Sequence, residues 1–359
     1  MDTSGISSSS SGGVGLTTSE MMDPYFLSLN GLGGDPNWVL DAGRDYPRLA
    51  WEGTTGQIIE EPEIDWLFGE GTDEAPYEIG QTSQLILLGK ASILWGSHFR
   101  LTADIDLDPN LPGNRAFNHA VIQSFSGVFD GDSHSISNLQ IVGTYYLGIF
   151  GYLESGAEIK DVRLQDVHIV GTGSYIGGLV GYNNGVVSNS CCKGSISGEN
   201  SIGVLVGFND GTVTTCYSRG DVRGNYNVGG LIGCNDDVVE NSYSMSSAIG
   251  ISYTGGLVGE NNDTIRKCYS IGMVKYYYAA GGLVGLNWPS DSEVENSFWD
   301  TASSGKTTSA GGIGLPTAQM QDINTFLDAG WDFVDETVNG TDDIWYMPEG
   351  DYPRLQWER

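Results

Sequence analysis

Short apolar blocks separated by Gly, Asn and Asp run through the middle of the chain, and one block recurs five times. Each copy begins with Gly and ends in Leu, then Val or Ile, then Gly, with an Asn two positions later. The copies start at positions 177, 203, 229, 255 and 281, so the spacing between them is constant. No run of helix formers separates them, and their turn residues and β-branched residues predict several short strands per copy.

This 26-residue period predicts the fold, because one unit is too short to bury a core while stacked units bury a shared apolar column. Parallel stacking places equivalent residues about 4.8 Å apart, so identical side chains form ladders. We therefore predict an all-β parallel β-helix (a β-solenoid) with about one coil per repeat and short helical or loop caps. A β-propeller is the alternative, but its blades usually need about 40 residues or more. The predicted hydrogen-bonded ladder consists of Asn183, Asn209, Asn235, Asn261 and Asn287.

The repeat also carries a resemblance to a known family. The Gly-Gly-Leu-Val-Gly-x-Asn pattern is followed by a Tyr column at Tyr217, Tyr243 and Tyr269, and together they resemble the GLUG motif of bacterial surface and secreted proteins. The stretches 99–107 and 125–136 resemble the coils that lead into GLUG arrays. The resemblance implies a right-handed β-helix and an extracellular or cell-surface location. Such repeats occur in adhesin-like proteins and as non-catalytic parts of some immunoglobulin-A-cleaving peptidases.

A longer repeat brackets the array. Gly12–Leu16 matches Gly311–Leu315, and Asp45–Glu52 matches Asp351–Glu358. We expect the chain to be a piece of a tandem array or a gene truncated upstream. A helix is predicted from Thr317 to Gly330, as a cover for the last coil. The predicted organisation is a tail of a preceding module (1–58, equivalent to 300–359), an acidic linker (59–76), a β-helix (77–299, strict repeats 175–299) and a C-terminal cap or tail (300–359).

The net charge restricts the classes of possible partner, and the cysteine spacing predicts the state of the thiols. The chain has 359 residues, with 46 acidic and 16 basic side chains, for a net charge of −30. Nucleic acid and anionic membrane surfaces are therefore excluded as partners, since both require a basic face. No apolar run is long enough to be inserted in a membrane. The five cysteines lack paired spacing and are expected to be free thiols that pack as small apolar groups.

Two acidic sets are candidate calcium ligands, although the fold requires no cofactor. Asp104, Asp106 and Asp108 alternate along one predicted strand and share a face. Asp210 and Asp236 stack one coil apart in the column after the asparagine ladder, where they either point into water or share a cation. The alternative for both sets is a solvated face.

One candidate catalytic set stands out in the early coils. Asp130, Asp132 and His134 lie close together in sequence, and paired carboxylates can hydrolyse glycosidic bonds. The alternative is a tight turn of the first coils. The chain has no GxSxG, HExxH or P-loop motif, so catalysis has no further support.

Aromatic residues near the end of the array are candidates for stacking on sugars. These are Tyr276, Tyr277, Tyr278 and Trp288, with packing or capping as the alternative. The resulting hypothesis is a non-enzymatic extracellular or cell-surface module with an adhesive or structural role. Its partner would be a glycan, a surface protein or neighbouring modules of the same protein. The alternatives are a polysaccharide lyase or glycoside hydrolase, and a non-catalytic part of a large secreted peptidase.

Overall fold

The computed structural model describes residues 67–289 and 292–359, together with the backbone of two short strands near the N-terminus. The chain divides into two compact units, Met1–Trp66 and Leu67–Arg359. In the first unit, strand Trp38–Val39 pairs antiparallel with strand Arg48–Leu49. The rest of the predicted tail over 1–58, and the predicted linker up to residue 66, lie outside the described residues.

The second unit is a parallel β-helix, which confirms the predicted fold class. One coil of the strict array runs through strands Ser174–Ile176, Val180–Asn183, Val186–Ser188 and Cys191–Ser197. Each strand pairs in parallel with its equivalent in the next coil, as Val180 does with Val206, the matching position of the next repeat copy. The period of the sequence therefore corresponds to one complete winding of the chain.

Within the described part of the chain, two of the four parallel sheets meet at the asparagine ladder. The seven-stranded sheet contains Ile122–Phe125, Phe150–Leu153, Val180–Asn183, Val206–Asn209, Ile232–Asn235, Val258–Asn261 and Val284–Asn287. The nine-stranded sheet contains Tyr77–Ile79, His98–Leu101, Val128–Asp130, Glu158–Lys160, Val186–Ser188, Thr212–Thr214, Val238–Glu240, Thr264–Arg266 and Glu293–Glu295.

The other two parallel sheets of residues 67–289 and 292–359 complete each coil. The twelve-stranded sheet contains Ile105–Asp106, Ser135–Ser137, Gln140–Gly143, Arg163–Gly171, Cys191–Ser197, Tyr217–Arg223, Tyr243–Ser244, Ser247–Ile249, Tyr269–Ser270, Val274–Lys275, Phe298–Asp300 and Ile313–Leu315. The five-stranded sheet contains Ser174–Ile176, Asn200–Gly203, Tyr226–Gly229, Ser252–Gly255 and Ala280–Gly281.

The interior is filled by columns of identical or similar apolar side chains. The repeat's glycines let neighbouring coils approach closely, since a Cβ added at Gly256 would lie 2.2 Å from the carbonyl oxygen of Gly282. Each fully buried leucine can then lie over its equivalent in the next coil. That leucine column consists of Leu179, Leu205, Leu231, Leu257 and Leu283.

A short helix closes the first coils. Helix Thr82–Leu88 and the 3-10 helix Ser92–Leu94 follow the first strand of the β-helix and bury Leu85, Leu88 and Leu94. The backbone amide of Gln81, at the helix N-terminus, donates to the side-chain oxygen of Gln84 at 2.9 Å. These buried leucines thus add an apolar helix face to the core at the first coils of the described β-helix, as the prediction of short caps expects.

The last coil is closed by the segment that follows it. Helix Thr301–Ser304 is capped by Asp300, whose carboxylate accepts from the amide of Ala302 at 2.7 Å. Strand Ile313–Leu315 then pairs in parallel with strand Phe298–Asp300. In the segment that connects these two strands, the Ser309 hydroxyl accepts from the amide of Val284 at 2.9 Å.

The remaining tail, residues 316–359, lies against the side of the β-helix rather than over its end. It contains helices Thr317–Met320 and Ile323–Leu327. Strands Trp345–Tyr346 and Arg354–Leu355 pair antiparallel, and the 3-10 helix Gln356–Glu358 ends the chain. The tail covers the outer aromatic column of the twelve-stranded sheet, because this column offers its apolar side chains a large partner surface.

The helix predicted from Thr317 to Gly330 is therefore two short helices. The first begins after Pro316, which has no side-chain capping bond, so Thr317 is not the N-cap. Asp322 interrupts the helix, because its carboxylate accepts from the amide of Asn324 at 3.0 Å and caps a second helix. Gly330 follows with a φ of 77°.

Candidate functional site

The asparagine ladder lies inside the β-helix and stabilises its coils. Each side-chain nitrogen donates to the side-chain oxygen one coil later, at 2.6, 2.7, 2.8 and 2.7 Å. The same nitrogens also donate to main-chain oxygens two residues on, as Asn209 does to Gly211 at 2.7 Å. The amides thus have partners on both sides, and their role is structural. The ladder consists of Asn183, Asn209, Asn235, Asn261 and Asn287.

An outward-facing aromatic column lies on the seven-stranded sheet. The rings of Tyr152 and Tyr182 stack with centroids 4.9 Å apart, and those of Tyr182 and Phe208 with centroids 4.8 Å apart. Both distances match the spacing of neighbouring strands. The Tyr182 hydroxyl donates to Asp210 at 3.0 Å, and burial together with this carboxylate raises the pKa of Tyr182.

A second aromatic pair adjoins this column beside the five-stranded sheet, where Tyr175 lies within strand Ser174–Ile176. Tyr146 and Tyr175 stack with centroids 5.1 Å apart. Both have a positive φ, 54° and 63°, which is unusual for an aromatic residue. The Tyr175 ring meets Phe208 edge to face at 5.5 Å, so the two columns form one aromatic surface.

An open groove of about 360 Å³ lies at one end of this surface. Tyr145 is 56% exposed and Tyr146 is 42% exposed, so their rings are available to a ligand. Gly173 lies beneath the ring of Tyr145, where a Cβ would come within 2.5 Å of a ring carbon. We call this feature the tyrosine groove. Its lining residues are His119, Ala120, Gln123, Tyr145, Tyr146 and Tyr152.

A second groove of about 390 Å³ continues from the first and shares His119 with it. The Arg115 guanidinium lies 5.3 Å from the centre of the Phe117 ring, on the wall of this groove. The imidazole Nδ1 of His119 lies 2.6 Å from the carbonyl oxygen of Ala120. Together the two grooves combine flat aromatic faces with a small number of polar groups, as is typical of ligand sites.

The sequence-based candidates do not include this groove, although the sequence contains a signal for it. A degenerate copy of the repeat block, Leu147–Gly151, precedes the first strict copy by more than the strict period, and Tyr145 lies just before it. Tyr152 follows the final glycine of this degenerate copy by one position, as Tyr182 and Phe208 do in the next two copies. The repeat register alone therefore predicts an aromatic column at this position.

The candidate sugar-stacking residues at the end of the array are exposed. Tyr277 and Tyr278 are 77% and 73% exposed, and Trp288 is 65% exposed. Lys306 lies 3.7 Å above the centre of the Tyr276 ring. The tyrosines follow the twelve-stranded sheet, whereas Trp288 follows the seven-stranded sheet, so they occupy different corners of the coil. Sugar binding at these residues stays a prediction.

Two of the three candidate catalytic residues contact other side chains. Asp130 accepts from the amide of Asp132 at 2.8 Å and lies 3.6 Å from the ammonium of Lys160. His134 lies 3.5 Å from Asp104 in the neighbouring coil. Asp132 has a φ of 45°, so the segment forms a left-handed turn. This geometry favours the tight-turn interpretation over a catalytic one.

The first acidic set is engaged by protein donors. Asp104 accepts from the amide of Ser135 at 2.8 Å, and this hydrogen bond lowers the pKa of Asp104. Asp106 accepts from the amide of Asp108 at 2.9 Å, and Asp108 accepts from the amide of Asn110 at 3.0 Å. The carboxylates of Asp106 and Asp108 thus stabilise local turns, whereas that of Asp104 links neighbouring coils.

The second acidic set lies beside the aromatic surface. Asp210 accepts from Tyr182, and Asp236 accepts from the Asn262 side chain at 2.7 Å. No group of three or more His, Cys, Asp or Glu side chains could hold a metal ion in residues 67–289 and 292–359. Calcium binding at either set stays a prediction.

All five cysteines are free and buried. Burial raises the pKa of Cys191 to about 11 and that of Cys268 to about 12. Their thiols pack as small apolar groups in the core. None of the described helices is long and apolar enough to cross a membrane.

Comparisons with known proteins reveal partial similarities, and no family model matches the chain. The chain is 33% identical over 145 residues to halomucin of Haloquadratum walsbyi, which covers 37% of this chain and 2% of halomucin. It is 42% identical over 64 residues to a protein of Evansella cellulosilytica provisionally described as a Gly-rich membrane protein, which covers 18% of this chain and 6% of that protein. The chain therefore spans only a small part of either relative.

A solved structure shares the fold. It is a crystal structure from Bacteroides ovatus, provisionally described as an immunoglobulin A1 protease, with a TM-score of 0.60 and 19% sequence identity. The superposition covers 81% of this chain and 95% of that one. This likeness shows that the two chains are built as the same kind of parallel β-helix.

Proposed function

We propose that this chain is a non-enzymatic β-helical module that acts outside the cell or at its surface, in an adhesive or structural role, and that its tyrosine groove binds a glycan. The similarity to halomucin and to a protein described as a membrane protein supports a place at the cell surface. The GLUG-like repeat pattern supports the same location. The groove supports the choice of ligand.

The observation that carries the proposal is the pair of exposed rings of Tyr145 and Tyr146 on the groove wall. A sugar ring has an apolar face of C–H groups and a rim of hydroxyls. A tyrosine offers a flat apolar face and one polar end, so it can stack on the sugar while its hydroxyl stays hydrated. His119 and Gln123 line the same groove and can hydrogen-bond to the hydroxyl rim.

The net charge of the chain favours a neutral glycan over an acidic one. The chain carries a net charge of −30, which repels polyanions over long range at low ionic strength. A neutral oligosaccharide avoids this repulsion, and its binding is insensitive to salt. We therefore infer a neutral glycan as the ligand of the tyrosine groove.

The alternative of a lyase or hydrolase has less support. Its candidate residues Asp130, Asp132 and His134 lie in a turn, where the Asp130 side chain contacts Lys160 and the His134 side chain contacts Asp104. A glycosidase needs two carboxyl groups on opposite sides of the bond that breaks.

Binding of the full chain to an array of neutral oligosaccharides tests the proposal. We expect binding to fall about tenfold in Tyr145→Ala, because losing one stacked ring costs on the order of 1–1.5 kcal/mol. The matched control is Tyr226→Ala, which removes an exposed tyrosine that does not line the groove. Binding by the control variant should equal that of the wild type.

Three results would contradict the proposal. If Tyr278→Ala reduces binding and Tyr145→Ala does not, the site lies at the end of the array instead. If no neutral oligosaccharide binds at millimolar concentration, the groove has another role. If the bound oligosaccharides are shortened on incubation, the chain is an enzyme.

A further inference from the structure

The tail of the β-helix binds a defined surface, which we call the tyrosine-ladder face: Tyr217, Tyr243, Tyr269 and Phe298 on the outer side of the twelve-stranded sheet. Trp357 stacks on Tyr217 with ring centroids 5.5 Å apart. The other ladder rings are also covered by tail side chains. Tyr243 and Tyr269 are fully buried as a result.

Two more tail rings cover the centre of the tyrosine-ladder face. Trp345 lies with its ring centroid 6.1 Å from those of both Tyr243 and Tyr269. Tyr352 stacks on Tyr269 at 6.4 Å, with 12° between the ring planes. The tail therefore supplies at least one aromatic side chain for each ladder tyrosine that it covers.

Polar groups at the same interface fix its register. The Tyr243 hydroxyl donates to the Glu358 carboxylate at 2.8 Å and accepts from the Arg354 guanidinium at 3.3 Å. The Tyr269 hydroxyl donates to the carbonyl oxygen of Pro353. Each buried hydroxyl thus has a specific partner in the tail, so a tail without these residues would leave it unpaired.

Part of this contact set occurs a second time, near the N-terminus of the chain. There, strand Trp38–Val39 pairs with Arg48–Leu49, and Trp38 lies opposite Leu49 as Trp345 lies opposite Leu355. The tail residues Trp345, Tyr352, Pro353, Arg354, Leu355, Trp357 and Glu358 have as counterparts Trp38, Tyr46, Pro47, Arg48, Leu49, Trp51 and Glu52.

We propose that residues 1–52 are a second clamp, which docks on the tyrosine-ladder face of a neighbouring β-helix of this type. The ladder face within this chain is already occupied by residues 316–359, so the second clamp needs a ladder from another module. Its tryptophans, tyrosine, arginine and glutamate supply the same stacking and hydrogen-bonding groups. The second clamp can therefore bind only a ladder from which the natural tail is missing or displaced.

A graft within the full chain tests whether the second clamp fits. Residues 317–359 are replaced by a copy of residues 18–52, and the exposure of Tyr243 and Tyr269 is measured by nitration at pH 8 and peptide mass spectrometry. We expect both tyrosines to stay unmodified, as in the wild type. A graft of the same composition in scrambled order is the control, and it should leave both tyrosines nitrated while circular dichroism still shows β-structure.

Single substitutions identify the contacts. Trp38→Ala within the grafted copy should restore nitration of Tyr243 and Tyr269, and we expect the same of Trp345→Ala in the natural tail, since Trp345 lies over both rings. The proposal is overturned if the graft and the scrambled control are nitrated alike. A graft that protects both tyrosines equally well with and without Trp38→Ala also overturns it, since protection would then not depend on the clamp contacts.

A second measurement tests docking on a neighbour. In full-length Trp345→Ala/Trp357→Ala the natural clamp is weakened, so the N-terminal clamp of another copy can compete with it for the ladder. We expect concentration-dependent self-association in sedimentation experiments, and its loss when Trp51→Ala is added. A double variant that stays monomeric at high concentration, or associates regardless of Trp51→Ala, contradicts the intermolecular docking.

Discussion

The ring of Tyr243 lies parallel to that of Tyr269, with centroids 4.8 Å apart and 2° between the ring planes. The separation equals the strand spacing, so the rings can stack only because the two coils are in register. Their hydroxyls nevertheless have different partners, Glu358 for Tyr243 and the Pro353 carbonyl for Tyr269. The tyrosines repeat regularly from coil to coil, whereas their hydrogen-bond partners in the tail do not.

The asparagine ladder should be a large contributor to stability. Asn209→Ala removes the acceptor of Asn183 and the donor to Asn235, and leaves both amides partly unpaired in the core. We expect the free energy of unfolding to fall by about 3 kcal/mol, since each unpaired buried group costs roughly 1–3 kcal/mol. Urea unfolding followed by circular dichroism measures the change.

A control for this variant is available in the next column. Asn184→Ala removes the same type of side chain from a half-buried position outside the ladder. Its effect should stay within about 0.5 kcal/mol of the wild type. Equal losses in Asn184→Ala and Asn209→Ala would contradict a specific role of the ladder.

Close approach of the coils makes one repeat glycine irreplaceable. A Cβ in Gly256→Ala would lie 2.2 Å from the Gly282 carbonyl oxygen and 2.7 Å from the Ser270 hydroxyl. We expect a loss of about 3 kcal/mol from this overpacking, or failure to fold. Gly96→Ala is the matched control, because the atom nearest to its added Cβ would be the Ser126 hydroxyl at 3.3 Å and a small shift relieves the contact. Thermal melting of both variants distinguishes them.

The thiols should be inert in the folded protein. Burial raises the pKa of Cys191 to about 11 and the pKa of Cys268 to about 12, so neither forms the reactive thiolate near pH 8. We expect iodoacetamide to modify none of the five cysteines in the native chain, and all of them in guanidinium chloride. Intact-mass spectrometry counts the adducts, and rapid modification of a native thiol would disagree with the packing described above.

Docking of the tail should depend on pH through Asp300. Burial raises the pKa of this carboxyl, but hydrogen bonds from Tyr352, Thr317 and two backbone amides outweigh it, and its pKa lies below the ordinary value. The folded state therefore holds the proton less tightly than the unfolded state. The ionised carboxyl contributes stability above about pH 4, which is lost as the pH falls through the lowered pKa.

Comparison of the wild type with Asp300→Asn isolates this effect, since other titrating groups cancel in the difference. We expect the variant to be less stable by on the order of 2 kcal/mol at pH 7, and the difference to shrink as the pH falls below about 4. Urea unfolding at several pH values measures it. A difference that stays constant down to pH 3 would show that the charge of Asp300 is not responsible.

Much of the fold could be predicted because the signal is periodic. Equivalent positions such as Val180 and Val206 are separated by one repeat in the sequence and pair one coil apart in the structure. A parallel stack repeats every contact at each step, so one register explains all of them. The candidate site was harder to predict from the sequence, because Tyr145 and Tyr152 lie in an early coil whose spacing to the next coil departs from the strict period.

The sequence alone therefore determined the period, the coil and the columns of leucine, valine and asparagine, since local repetition in a parallel stack leaves little choice of register. Only the tertiary structure decided that the tail lies along the side of the β-helix and that Trp357, near the end of the chain, meets Tyr217 in the middle of the array. It also decided that Tyr145 and Tyr146 share a groove with His119. These contacts depend on how corners direct side chains and how distant segments pack, and a repeat pattern carries no information on either.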